Sequence, residues 1–144
     1  MENKQISNAQ ISASSLSDEN SSPSKARLHL KEDQNLPGGG GWSALKNDLH
    51  QWLQVDLGGY TTLTRVATQG RTGSNEWVTK YKLQHSDDGM NFQFYNEHGD
   101  KSAKVSSHTY YVKYFKGNQM FLNQFSLQQA KLPRSSNMFC LDPV

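Results

Sequence analysis

Between Gln51 and Phe94 apolar and polar residues take turns along the chain. Leu53, Val55 and Leu57 alternate with Gln54 and Asp56, which at two residues per repeat puts three aliphatic side chains on one face of an extended strand. Gly58 and Gly59 close that run, and a second run rich in β-branched residues follows from Thr61 to Thr68. The pair predicts two strands joined by a tight turn. A third run, Trp77 to His85, sets Val78, Tyr81 and Leu83 among lysines and ends in Ser86-Asp87-Asp88-Gly89. Side-chain oxygens followed by a glycine suit a turn with one positive φ. Phe92 and Phe94 then restart the alternation. Upstream, Lys25, Arg27, His29 and Lys31 alternate with Ala26, Leu28 and Leu30, predicting a half-buried strand with a basic outer face. Downstream, Tyr110, Val112 and Tyr114 alternate as well. With no helix-length apolar period across the middle of the chain, the pattern predicts an antiparallel all-β domain.

Composition sets the scale. A chain of 144 residues fits one domain, long enough to bury roughly two-thirds of its unfolded surface. The hydrophobic fraction of 34% and mean hydropathy of −0.80 predict a small core with long polar loops and loose ends. A net charge of +2 does not point to nucleic acid, whose binding needs concentrated basic patches. No apolar run approaches the roughly 18 residues that span a bilayer, and the N-terminus has no apolar secretory core, so the chain reads as soluble and untargeted. Cys140 is the single cysteine, so no intrachain disulfide can form.

Reactive chemistry is not visible. The histidines His29, His50, His85, His98 and His108 show no metal-ligand spacing, Cys140 has no base in a recognisable pattern, and no Gly-x-Ser-x-Gly elbow occurs. Gly38 to Gly41 invites a phosphate-loop reading, but Trp42-Ser43-Ala44 lacks the required Lys-Ser/Thr pair. Asp87-Asp88-Gly89 is not continued as a calcium loop by Met90-Asn91-Phe92. No enzyme and no cofactor are predicted; calcium held by backbone carbonyls is a possibility that no residue pattern supports. Asn20-Ser21-Ser22 is a glycosylation acceptor pattern; in a serine-rich loop chance occurrence is the alternative, and Pro23 just beyond it counts against its use.

QWLQVDLG, then TRVATQGR, then EWVTKYKLQHSDDG with an aromatic soon after, resembles the central block of a discoidin domain, also called the coagulation factor V/VIII type C domain. The resemblance extends back through ISASS (Ile11 to Ser15) and SPSKARL (Ser22 to Leu28), and Tyr114 to Asn118 is similar to the family's aromatic-x-Gly-Asn turn. It implies a galactose-binding-like β-sandwich or jelly-roll barrel with recognition loops at one end. After Phe125 the pattern breaks, so the last strands are expected to be missing or replaced, leaving an open core edge. The division expected is a flexible segment 1–10, a discoidin-like domain 11–125 and a divergent tail 126–144. The family's N-terminal cysteine partner is absent, which reads as a fragment or truncated product.

The resemblance also implies a site. The first loop, Leu16 to Ser24, holds Leu16 as its one bulky apolar residue, beside Asp18, Glu19 and Asn20. Lipid-binding members place apolar groups there, and acidic residues are repelled by an anionic leaflet, so membrane phospholipid is disfavoured as a partner. In the second loop Trp42 is expected to pack beneath, with Ser43, Asn47 and Asp48 lining a cleft. Neuropilin-like members hold a C-terminal arginine there, but here the carboxylate is displaced by one residue. The third loop offers Arg71, Ser74, Asn75 and Glu76, and Trp77 is expected to brace it from the core. The expected function is an extracellular or cell-surface adhesion or ligand-recognition module, part of a larger exported protein, that binds a protein or glycan. The alternatives are a galactose-type carbohydrate-binding module, which predicts an exposed aromatic platform, and a non-functional truncated product.

Overall fold

A computed structural model describes residues 6–30, 35, 40–70, 76–95, 104–105, 110–129 and 137–143. The strands are β1 (Ile11–Ala13), β2 (Trp52–Gln69), β3 (Glu76–Ser86), β4 (Gln93–Phe94), β5 (Lys104–Val105), β6 (Tyr110–Gln129) and β7 (Asn137–Pro143). They form a sheet in the order β1-β2-β6-β3-β4, with β5 also on β3 and β7 also on β2. Every pairing among the described residues is antiparallel, as the alternation predicts. Helical structure among them is confined to three 3-10 turns, Asn8–Gln10, Glu19–Ser21 and Pro23–Lys25.

β6 is the spine, with β2 on one edge and β3 on the other. The end of β2 (Val66 opposite Tyr110) and the start of β3 (Glu76 opposite Gln129) lie at opposite ends of β6. A straight strand of 20 residues measures roughly 66 Å, whereas the chain from Gln69 to Glu76 reaches at most about 25 Å. The sheet therefore folds over on itself. The core agrees: Leu53 and Val55 from the first half of β2, Leu63 and Val66 from the second, and Tyr81 and Leu83 from β3 bury into one cluster with Ile6, Ile11 and Ala26. This is a β-sandwich closed around a single core.

The fold-over has a local cause that corrects the expectation of two strands joined by a tight turn. β2 runs unbroken through Gly58 and Gly59. Between Asp56 and Thr61 it takes five steps while β6 takes two, from Gln119 to Gly117, so three residues stand in excess on β2 and bend it. The Asp56 carboxylate accepts from the Gly58 N–H at 2.8 Å. Gly58 has φ 74°, a conformation cheap only for glycine, and a Cβ there would meet Gln10 Nε2 at 3.2 Å. That same nitrogen donates to the Asp56 carbonyl at 2.9 Å.

The predicted basic strand does not form over residues 25–30, and Lys31 lies outside the described residues. Pro23–Lys25 is a 3-10 turn, and His29 takes φ 56°, which no strand residue adopts. Arg27 explains the difference: its guanidinium donates to Ser24 O (3.1 Å), Ile6 O (2.9 Å) and Asn8 Oδ1 (2.8 Å). The cation ties two chain segments together, while Ala26 is buried and Leu28 half-buried. The chain beyond Phe125 supplies a further strand, since β7 pairs along β2 from Leu63 to Gln69 beyond the end of β1. That edge of β2 is paired.

The turn predicted at Ser86-Asp87-Asp88-Gly89 forms, with Gly89 at φ 74°. Asp88 accepts from Asn91, Met90 and Ser86. These donors, the Asn91 backbone and side chain first, hold its carboxyl well below the usual carboxylate range. Phe94 is exposed, with Lys82 Nζ 5.3 Å from its ring centroid.

Candidate functional site

Because β1 is antiparallel to β2 with Ala13 opposite Leu53, the segment leaving β1 and the segment entering β2 emerge side by side. Ser14 N–H donates to Trp52 O at 3.0 Å, and from there the loops 14–25 and 40–51 run together. Ser17 N–H donates to Ser43 O at 2.8 Å, and Ser43 N–H to Ser21 O at 3.4 Å. Trp42 is half-buried against the core, as the resemblance implies, and its indole N–H donates to Ser15 O at 2.8 Å.

The brace beneath both loops is Gln51, which is buried. Its Oε1 accepts from the hydroxyls of Ser14 (2.8 Å) and Ser15 (2.6 Å), and its Nε2 donates to Asp48 Oδ1 at 2.8 Å. Asp48 also accepts from His50 N–H at 2.9 Å. The Gln51 amide first, and the His50 N–H after it, lower the Asp48 pKa below its ordinary value. Ser15 Oγ in turn accepts from Leu45 N–H, and Ser14 Oγ from Trp52 N–H. In the first loop Asp18 caps the Glu19–Ser21 turn, accepting from Asn20 N–H and from the hydroxyls of Ser17 and Ser21.

The residues singled out in the sequence thus fall into two groups. Asp18 and Asp48 are engaged in hydrogen bonds within their own loops, while Trp42 through its indole and Ser43 through its backbone link the two loops. Leu16, Asn20 and Asn47 are exposed. Arg71, Ser74 and Asn75 lie outside the described residues, Glu76 opens β3 opposite Gln129, and Trp77 is half-buried beside it. Gln51 was not among the predicted site residues, and neither were Leu45 and Leu49, which are 62% and 60% exposed beside Leu16 at 41%. Two leucines four residues apart in a loop without strand alternation are the signal that marks them. Among the described residues no group of three His, Cys, Asp or Glu side chains converges on a common point.

A sandwich whose one end is two cross-braced loops, with their outward side chains left over, defines a binding module of the discoidin type. The F5/8 type C domain profile matches residues 10–128, most of the chain, and the chain belongs to the F5/8 type C domain family. Its fold is similar to that of discoidin II from Dictyostelium discoideum, at TM-score 0.71 and 18% identity over 92% of this chain and 53% of that one. The chain therefore spans about half the length of discoidin II. It is also similar to a Clostridium perfringens CBM32 module in complex with GalNAc-β-1,3-galactose (TM-score 0.58, 22% identity, 85% of this chain, 93% of that one). A third likeness is to chitosan-binding module 2 of a Paenibacillus chitosanase/glucanase in complex with chitotriose (TM-score 0.61, 13% identity, 91% and 93%).

Proposed function

We propose that this chain is a non-catalytic recognition module that acts outside the cell, in adhesion or ligand capture, and grips a glycan through the end formed by loops 14–25 and 40–51. One observation carries the reading: Gln51 and its partners satisfy the loop framework internally, with Leu16, Leu45, Leu49 and His50 exposed to solvent around it. A preorganised surface of this kind loses little ordering entropy on binding. The sugar complexes of the Clostridium and Paenibacillus modules support the choice of ligand class.

A second reading, a protein ligand, is favoured by the three leucines. Sugar faces stack on aromatic rings, and the exposed aromatics Tyr60 and Phe94 belong to the β2 bulge and to β4. Aliphatic groups ringed by polar ones fit the apolar centre and polar rim of a protein interface.

A glycan array that includes GalNAc-β-1,3-galactose and chitotriose, run beside phosphatidylserine vesicles, tests the proposal. Signal on the array that is lost in the Leu45→Ser, Leu49→Ser double variant supports it. An empty array directs the search to proteins, and strong vesicle binding overturns loop recognition of either kind.

A further inference from the structure

We infer that Asn20 is a site of N-linked glycosylation, which places an oligosaccharide on the flank of the paired loops. Asn20-Ser21-Ser22 is the single Asn-x-Ser/Thr pattern with a non-proline middle residue in the chain, and it falls on the loop end rather than on the sheet.

The structure supplies what the pattern alone does not. Asn20 is exposed at the centre of the Glu19–Ser21 turn. Its backbone N–H is taken by Asp18 Oδ1 at 2.8 Å, while its carboxamide has no hydrogen-bond partner among the described residues, so no native interaction is lost when the nitrogen is substituted. The turn is held from below by the buried Ser21, whose hydroxyl donates to Asp18 Oδ2 at 3.0 Å and whose carbonyl accepts from Ser43. Ser22, the acceptor-pattern hydroxyl, is half-buried and 2.9 Å from Ser24 Oγ. Pro23 begins the next turn, outside the three-residue pattern.

In the transfer the Asn20 Nδ2 forms a bond to the anomeric carbon of an oligosaccharide carried on a lipid diphosphate. The bond from that carbon to the diphosphate oxygen breaks, the amide nitrogen gives up one proton, and the lipid diphosphate leaves. No electrons are exchanged. The sugar then stands on the loop that carries Leu16, four residues along the chain, and limits how large a partner can approach that loop. This consequence rests on the proposed recognition role; the modification itself does not.

The test is secretion of the chain behind a heterologous leader from insect cells, followed by intact mass and peptide mapping with and without peptide N-glycosidase. The expected result is one oligosaccharide, removed by the enzyme with conversion of Asn20 to Asp, and absent from both N20Q and S22A. S22T, which keeps the hydroxyl and is the better acceptor, controls for folding and export. Secreted wild-type chain with no added mass overturns the inference, most sharply if S22T is modified while the wild type is not. An empty glycan array beside a modified Asn20 would count against the recognition role alone.

Discussion

Replacing Gln51 by methionine removes the loop brace while nearly conserving volume, so the change isolates hydrogen bonding from packing. In the native chain the Gln51 carboxamide accepts from two serine hydroxyls and donates to Asp48, at 2.6 to 2.8 Å, from a residue only 7% exposed. The thioether replaces neither the acceptor nor the donor. Ser14 and Ser15 keep backbone partners in part, so the loss is about 1 kcal/mol for each hydroxyl bond and roughly 2 to 3 kcal/mol in all. For a domain of this size that lowers Tm by roughly 6 to 12 °C. Differential scanning calorimetry reads the shift, and amide exchange at Leu45, His50 and Trp52 reads where it acts. Gln51→Glu sharpens the test, because it places a second carboxylate 2.8 Å from that of Asp48; its destabilisation at neutral pH should exceed that of the methionine variant and shrink as pH falls and the pair takes up a proton. A Tm within about 1 °C of wild type for Gln51→Met, or equal effects of glutamate at pH 7 and pH 5, would refute the brace.

Gly58→Ala and Gly59→Ala should differ although the residues are neighbours. The first forces a side chain into φ 74° and against Gln10, costing about 1 to 2 kcal/mol, while the second meets nothing within 4 Å and should stay within about 0.5 kcal/mol by urea titration. Arg27→Ala should cost about 2 kcal/mol and expose the segment from Ile6 to Gln10 to proteolysis first, since the guanidinium holds Ile6 and Asn8; Arg27→Lys should not restore it, because one ammonium cannot span the three acceptors. Acid should loosen both carboxylate-held turns. Asp48 and Asp88 titrate below their ordinary values when folded, so their contribution is complete above about pH 4 and is lost as pH falls from there. Asp48→Asn and Asp88→Asn should each flatten the fall in Tm below that pH, and unchanged slopes would argue against these hydrogen bonds.

The strand content was legible wherever the pleat repeats without interruption: Leu53 and Val55, and again Tyr81 and Leu83, are buried as their spacing predicts. The phase is lost where pairing slips. Leu63 and Val66 have opposite parity yet both are buried, because the register on β6 shifts between Leu63 and Arg65. Val78 and Tyr81 differ in the same way across the shifts around Lys80. A bulge is set by the strand opposite, which lies some 50 residues away, so no local period can announce it. The Gly58-Gly59 pair predicts a reversal for the same reason, since glycine marks a positive φ equally well in a turn and in a bulge. Over residues 25–31 the alternation was real but had another cause: Arg27 takes its partners from Ile6 and Asn8, and an arginine satisfied inward looks, in sequence, like one facing water.

The loops show the limit in its most consequential form. Polar residues in a loop serve either the chain's own unpaired backbone groups or a ligand, and composition does not separate the two. Asp18 and Asp48, singled out as contacts, accept hydrogen bonds within their own loops, and Gln51, at the edge of β2, proves to be the residue that joins those loops. What then remains at the surface includes the exposed apolar side chains of Leu16, Leu45 and Leu49. If recognition uses these side chains, variants of the leucines should weaken binding without lowering Tm, while variants of Gln51 should do both. That divergence between stability and affinity separates a contact from a brace where sequence cannot.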